Sequence, residues 1–300
     1  MNSDPGMTTE PLVSIGVPVY NGEAFLERAL DSLCAQDYEH LEIIVSDNAS
    51  TDNTPKICRA AAERDERVSY LTTDVNRGAA WNFSRLVHVA QGPYFKWAAA
   101  DDLCRPEYVS TCVSALEEDP TAVLCYPRTS LIDEDDLVVS DFTDDLAYDD
   151  DSAIRRFARV CRHVGEYHAV FGVIRTNALR ETGLLGAFPY ADIVTVAELA
   201  LRGRFLEHPD RLFLRRYHSG TSVIANPDAR SRAQWFDPNR RWRNPMPVLR
   251  VFGEILRAVH RSPLSPAQRL EADFVAARDW AGPRWRDIGG EVKRQLRPRH

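Results

Sequence analysis

The stretch VSIGVPVYNGEAFLERALDSLCAQDYEHLEIIVSD, residues 13–47, decides the fold class. VSIGVPVY is a short β-branched apolar run that stops at Asn21-Gly22, a turn signal. GEAFLERALDSLCAQ then places Phe25, Leu26, Ala29, Leu30 and Leu33 at helical spacing, and LEIIVSD is a second apolar run ended by Asp47. The same alternation continues down the chain. TDNTPKICRAAAERD predicts a helix entered through Ser50, Thr51 or Asp52 as N-cap, and VSYLTT a strand. AAWNFSRLVHVAQG predicts a helix closed by Gly92, YFKWAAA a strand, PEYVSTCVSALEED a helix opened by Pro106, and AVLCYP a strand. Strands and helices alternating at this spacing over residues 11–125 predict an α/β, Rossmann-like, doubly wound and mainly parallel sheet.

The pattern loosens beyond this point. SAIRRFARVCRH predicts a helix, HAVFGVIR a strand, ADIVTVAELALRGRF a helix closed near Gly203, and RLFLRRYH a strand. From Gly220 onward Arg, Trp and Pro become more frequent, and PMPVLRVFGEILRAVHR and SPAQRLEADFVAARDW each read as an amphipathic helix. Residues 1–10 read as a disordered lead, 11–219 as the main domain and 220–300 as a basic, helical C-terminal extension.

The bulk numbers exclude several classes. With 300 residues and 44% apolar side chains the chain can fill a large core. It has no apolar run long enough to span a bilayer, and MNSDPGMTTEP lacks the basic and apolar regions of a signal peptide. Cys34, Cys58, Cys104, Cys112, Cys125 and Cys161 form no CxxC pair, so neither a zinc site nor a disulfide framework is expected, and reduced thiols in a cytoplasmic protein are. The net charge of −7 is uneven. Residues 230–300 hold 16 Arg and Lys against 7 Asp and Glu, whereas residues 1–229 hold 21 against 37. The acidic run DEDDLVVSDFTDDLAYDDD reads as a solvated loop, with weak collection of divalent cations as the other reading. The basic C-terminal part is open to the chain's own acidic face, to anionic lipid or to dimerisation, and no nucleic-acid partner is expected.

In an open parallel sheet, ligands bind beyond the carboxyl ends of the strands. The ends in this chain are Pro18 to Glu23, Asp47 to Asp52, Asn76-Arg77-Gly78 and Asp101-Asp102, four successive ends bearing acids, amides or glycine. Each alone is an ordinary turn; together they predict a nucleotide-type pocket. GxxxxGK[ST] and a GxGxxG after the first strand are both missing, which removes the P-loop and dinucleotide sites. Adjacent carboxylates about 5 Å apart repel by about 3 kcal/mol at an effective dielectric of 20. A pocket lined by acids therefore needs a divalent cation to hold phosphates, and oxygen ligands suit Mg²⁺ or Mn²⁺.

The segments 13–54 and NRGAAWNFSRLVHVAQGPYFKWAAADD resemble glycosyltransferase family two, which has the GT-A fold. The resemblance covers residues 11–125 and runs more thinly to about 220. It implies a metal-dependent, inverting transfer of a sugar from a nucleoside-diphosphate-sugar donor to a saccharide, lipid-linked or small-molecule acceptor. The nucleotide-binding half would be 11–130 and the acceptor half 131–219. It implies that Pro18, Tyr20 and Glu23 line the base and ribose pocket, that Asp47 accepts from the base beside Asn48, and that Arg77, Gly78 and Asn82 lie along the donor. Asp101 and Asp102 would form the family's aspartate element, Asp101 toward the donor and Asp102 toward the metal, with Ala99-Ala100 where many relatives carry a further acid. His218 would complete the metal shell, helped at the diphosphate by Arg215, Arg216 or Ser219. Asp192, at a helix start, would be the general base. Glu198 lies six residues later, about 120° around the helix, and cannot share its site. Two alternatives stand beside this reading: a nucleotidyltransferase of similar topology, and an inactive nucleotide-sugar-binding module.

Overall fold

A computed structural model of the chain describes residues 10–142, 148–163, 168–239 and 246–296. Residues 1–9, most of the expected lead, and 143–147 of the acidic run lie outside the described residues. The strands are β1 (Val13–Val19), β2 (Leu41–Asp47), β3 (Val68–Thr72), β4 (Tyr94–Trp97), β5 (Leu103–Cys104), β6 (Ala122–Ile132), β7 (Val138–Phe142), β8 (Val173–Arg175) and β9 (Arg204–Arg216). The helices of the main domain are α1 (Leu26–Cys34), α2 (Thr54–Arg64), α3 (Ala79–Val89), α4 (Tyr108–Glu118), α5 (Ala153–Arg162), α6 (Thr176–Arg180) and α7 (Ala191–Arg202). Beyond them come α8 (Ser222–Ala225), α9 (Ala229–Phe236), α10 (Pro247–Arg261), α11 (Pro266–Val275) and α12 (Trp285–Leu296), with a π-helical stretch, Ala276–Ala281, after α11.

The strands form one sheet in the order β3-β2-β1-β4-β8-β6-β9-β5, with β7 beside β6. β3, β2, β1 and β4 pair in parallel, Val13 facing Leu41 on one side and Tyr94 on the other. Every residue of β1 is buried, which is why it reads as an unbroken apolar run. Leu26, Ala29, Leu30 and Leu33 of α1 are buried on one stripe, as their spacing predicts. Each large apolar side chain so buried contributes about 1.5–3 kcal/mol. Gly16 in β1 lets α3 come close, since a Cβ there would lie 2.9 Å from the Leu86 Cβ and 2.8 Å from the Phe95 ring.

Past β4 the sheet is mixed. β8 is antiparallel to both β4 and β6, while β6 and β9 run parallel over their length. HAVFGVIR is a 3-10 turn, His168–Phe171, before the short strand β8, because Gly172 passes so near β6 that a Cβ would lie 2.6 Å from the Cys125 carbonyl. The acidic run, read as a loop, contains the edge strand β7, whose residues are mostly exposed and need no buried face. Five of the six cysteines are buried and all are free thiols; burial pushes Cys34 up to about 11 and Cys58 and Cys161 up to about 12.

The C-terminal helices pack on the main domain. Glu198 of α7 is buried, and its carboxylate accepts from Arg261 of α10 at 2.7 Å, Arg202 at 3.3 Å and the Gly183 amide at 3.1 Å. Glu291 of α12 accepts from the Val248 and Leu249 amides at 3.1 and 3.0 Å, at the exposed start of α10. Removing one partner of a buried ion pair leaves the others uncompensated. Glu198→Ala is therefore expected to lower the free energy of urea unfolding by about 3 kcal/mol, without altering nucleotide binding in the fraction that remains folded.

Candidate functional site

At the carboxyl ends of β1, β2 and β4 lies a cavity of about 1090 Å³. Each of its walls is made by a local backbone device. After β1, Asn21 turns in the left-handed region at φ 52°, and its side-chain oxygen accepts from the Thr51 amide at 2.8 Å. The Asn21 amide donates to Ser50 Oγ at 2.8 Å, and the Gly22 amide to Thr54 Oγ1 at 2.8 Å. The ends of β1 and β2 are thus laced together, leaving Pro18 and a half-exposed Tyr20 on the cavity wall. Asn48 closes the neighbouring corner. Its carbonyl oxygen accepts from the Arg77 amide at 2.9 Å, and its amide donates to Asn76 at 2.9 Å and to the Gly78 carbonyl at 3.2 Å. Asn82, on α3, accepts from Ser46 Oγ at 2.6 Å and donates to the Ser46 carbonyl at 2.8 Å.

The two adjacent aspartates separate in the turn between β4 and β5. Asp101 faces the cavity, its carboxylate 3.0 Å from His218 Nε2. Asp102 turns inward, is 4% exposed, and accepts from Arg215 Nη1 at 2.8 Å and from the Arg216 amide at 2.9 Å. Burial pushes the Asp102 carboxyl above its ordinary range, and the Arg215 guanidinium pulls it back. Arg216 is fully buried; it donates to the Asp101 carbonyl at 2.8 Å and to the Asp133 carbonyl, pairs with Asp136, and lies 4.7 Å above the Phe25 ring. Phe25 in turn meets the His218 ring at 4.5 Å.

Asp192 stands in the first turn of α7 and lines the opposite part of the cavity wall. Tyr190 just before it is left-handed at φ 67°, a conformation that costs a non-glycine residue about 1–2 kcal/mol and persists only where its surroundings enforce it. The Tyr190 hydroxyl accepts from Arg232 Nη1 of α9 at 2.5 Å.

The structure therefore brings Pro18, Tyr20, Asn48, Asn82, Asp101, Asp192 and His218 onto one cavity. It corrects the placement of five others. Glu23 accepts from the Asn53 amide at 2.9 Å and from its side chain at 2.8 Å, so it caps the start of α2 instead of lining a ribose pocket. Asp47 is buried below the wall, accepting from the Ser50 amide and from the Tyr70 hydroxyl, both at 2.9 Å. Arg77 stacks outward on Trp81 at 4.9 Å. Gly78 is a backbone position at φ 86°, where a Cβ would lie 2.3 Å from the Phe236 carbonyl. Asp102 does not line the cavity; its carboxylate oxygens accept from Arg215 Nη1 and the Arg216 amide at the end of β9. Arg216 does not line the cavity and is held by Asp136 and the Asp101 carbonyl, whereas Arg215, paired with Asp102, lines the cavity together with Ser219.

Sequence reading missed the cavity wall supplied from beyond residue 219: Asn226, Arg232, Gln234, Trp235 and Phe236. Their signal was the cluster SRAQWF, which reads as surface helix unless α9 is known to rest on Gly78. It also missed Glu134, which reaches the cavity from the β6–β7 turn. His168, also on the cavity lining, is buried against Phe142 at 4.2 Å and lies 3.1 Å from Thr129 Oγ1.

No group of three or more His, Cys, Asp or Glu side chains is arranged around one metal position among the described residues. Asp101 and His218 nevertheless present one oxygen and one nitrogen donor side by side. That set suits Mg²⁺ or Mn²⁺ when substrate phosphates and water complete the shell.

Comparison with known proteins gives a consistent picture. The model of the family described as glycosyl transferase family 2 matches residues 14–182. An uncharacterized glycosyltransferase of Haemophilus influenzae is 27% identical over 222 residues, covering 72% of this chain and 69% of its own. The glycosyltransferase GlyG of Streptococcus pneumoniae serotype 4 is 32% identical over 38% of each chain. Several of the curated relatives are thus matched over only about two fifths of their length. Among solved structures, S. aureus TarS 1-349 in complex with UDP-GlcNAc superposes with a TM-score of 0.66 at 14% identity, covering 93% of this chain and 79% of that one. The mannosyltransferase PcManGT from Pyrobaculum calidifontis, in complex with GDP-Man and Mn²⁺, gives 0.55 at 20% identity, covering 95% and 86%. The fold is accordingly the GT-A fold with a helical C-terminal region.

The opposite orientations of the two aspartates give a direct test. Asp102→Asn is expected to cost about 3 kcal/mol in urea unfolding by leaving Arg215 buried and unpaired. Asp101→Asn, at the cavity surface, is expected to cost less than about 1 kcal/mol.

Proposed function

The chain belongs to glycosyl transferase family 2 and is a glycosyltransferase, and on that premise we propose a metal-dependent, inverting transfer of a sugar from a nucleoside-diphosphate donor to an acceptor hydroxyl. The observation that carries this reading is one cavity lined by the Asp101–His218 pair and by Asp192. The UDP, UDP-GlcNAc and GDP-Man complexes of proteins that share the fold support a nucleotide-sugar as donor.

In this proposal the nucleoside lies over Pro18 and Tyr20, against the amide corner built by Asn48 and Asn82. The carbonyl and amide groups of that corner are fixed by their bonds to Ser46, Asn76 and Gly78, so they meet a ligand without first losing freedom. Asp101 and His218 hold Mg²⁺ or Mn²⁺ together with the diphosphate. The cation, when bound, neutralises the charge that grows on the leaving nucleoside diphosphate. The Asp101 carboxylate and His218 Nε2 lie 3.0 Å apart, a spacing a cation would bridge once the proton between them is lost. Asp192 takes the proton from the acceptor hydroxyl as that oxygen attacks the anomeric carbon from the face opposite the leaving group. The electron pair of the broken glycosidic bond leaves with the diphosphate. Residues 225–236 cover the acceptor side, where Tyr190 and Trp235 offer aromatic faces to a sugar ring or another flat apolar surface.

Thermal-shift titration with UDP-, GDP- and dTDP-sugars in the presence of Mn²⁺ identifies the donor, whose binding raises the unfolding temperature with concentration. With that donor, Asp192→Asn is expected to bind within about twofold of the wild type and to lose about 10²–10⁴-fold in kcat. Asp101→Asn is expected to abolish the Mn²⁺-dependent part of UDP binding measured by calorimetry. Near-full turnover in Asp192→Asn, or undiminished Mn²⁺ dependence in Asp101→Asn, contradicts the assignment.

A further inference from the structure

The outer face of α11 and the exposed side of α12 carry large apolar side chains that nothing among the described residues covers. Ala272, Val275 and Ala276 are buried against the domain, so α11 is firmly seated. On the ridge directly opposite stand Leu270, 73% exposed, and Phe274, 63% exposed, one turn apart. In α12, Trp285, Ile288 and Val292 follow at i, i+3 and i+7, with Trp285 64% exposed. Such residues scattered singly need no explanation; a ridge of them on each of two successive helices does.

The charges beside these ridges choose the occupant. Arg269, Arg286, Lys293 and Arg294 stand around them against Glu271 and Asp287, in a segment with a large excess of Arg and Lys. Guanidinium groups lie directly on the exposed rings: Arg278 5.7 Å from Phe274 and Arg286 5.3 Å from Trp285. Apolar ridges bordered by cations are the composition of a helix lying in a membrane interface, with rings and Leu among the acyl chains and the cations at anionic headgroups. No described helix is long and apolar enough to cross a membrane, so such a contact is peripheral. A second copy of the chain would instead bring these cations against one another.

We propose that α11 and α12 dock the enzyme on an anionic lipid surface. None of these side chains lines the cavity, so the proposal stands whether or not the roles given to Asp101 and Asp192 hold. The test is cosedimentation of the whole chain with vesicles of phosphatidylglycerol and phosphatidylcholine in equal parts, and with pure phosphatidylcholine. Binding is expected to the anionic vesicles, to weaken as salt rises, and to fall roughly tenfold in the double variant Leu270→Glu, Phe274→Glu. The charge reversal Arg286→Glu, Lys293→Glu is expected to reduce it comparably. UDP binding and the unfolding midpoint report that each variant is folded. Failure of the wild type to sediment with anionic vesicles overturns the proposal, as does equal binding by both folded variants. A wild-type dimer that the Leu270→Glu, Phe274→Glu pair dissociates, with no lipid binding, assigns the face to a second copy instead.

Discussion

The buried Asp102 carboxylate is the constraint on which the candidate site rests. It joins the turn after β4 to the end of β9, residues more than a hundred positions apart, through Arg215 Nη1 and the Arg216 amide. A carboxylate is removed from water at a cost of several kcal/mol, and that cost is offset only when both oxygens meet charged or amide donors in good geometry. Once the pair forms, neither strand end can shift without breaking it. Asp101, next to Asp102, and His218, two residues past Arg216, then face each other across 3.0 Å. Asp102 thus lies beneath the cavity wall and its neighbour Asp101 lies on it.

Arg216 extends the same constraint outward. Its guanidinium reaches the Asp101 carbonyl, the Asp133 carbonyl and the Asp136 carboxylate, and lies on Phe25. The acidic turn after β6 is in this way drawn against α1, where Arg28 also meets Asp136 at 3.1 Å. Negative charge that looks superfluous on a loop thus offsets a fully buried guanidinium and sets Glu134 beside the cavity. On the other side, the C-terminal region serves as part of the wall. Gly78 admits the Phe236 carbonyl where any side chain would exclude it, and Arg232 bonds to Tyr190, two residues before Asp192.

The sequence disclosed the first half of the sheet well, because parallel strands buried on both faces are unbroken apolar runs and their helices carry a clear stripe. It disclosed the mixed second half less well. β8 is only three residues long, and β7 has no buried face, so neither leaves a periodic signal. The same contrast holds at the site. Polar strand ends predicted that the side chains converge, and Pro18, Tyr20, Asn48 and Asp101 line one cavity; Asn82, Asp192 and His218, expected from the family resemblance, line it too. What the strand ends left open was direction. Glu23 and Asp47 are acids at the right places, but Glu23 accepts from Asn53 at the start of α2, Asp47 from the Ser50 amide and the Tyr70 hydroxyl, and Asp102 from an arginine far along the chain. Those partners are fixed by tertiary structure, not by spacing. The wall from α9 was hidden for a related reason: its role depends on a close approach to Gly78 that no local pattern encodes.

The most direct test of this account is a crystal grown with UDP and Mn²⁺, with the anomalous signal of manganese measured at its absorption edge. The account predicts a single strong peak bonded to the Asp101 carboxylate and His218 Nε2, bridged to the diphosphate, with Asp102 still on Arg215. A peak at Asp102 with the Arg215 contact broken, or a diphosphate seated away from Asp101 and His218, would contradict it.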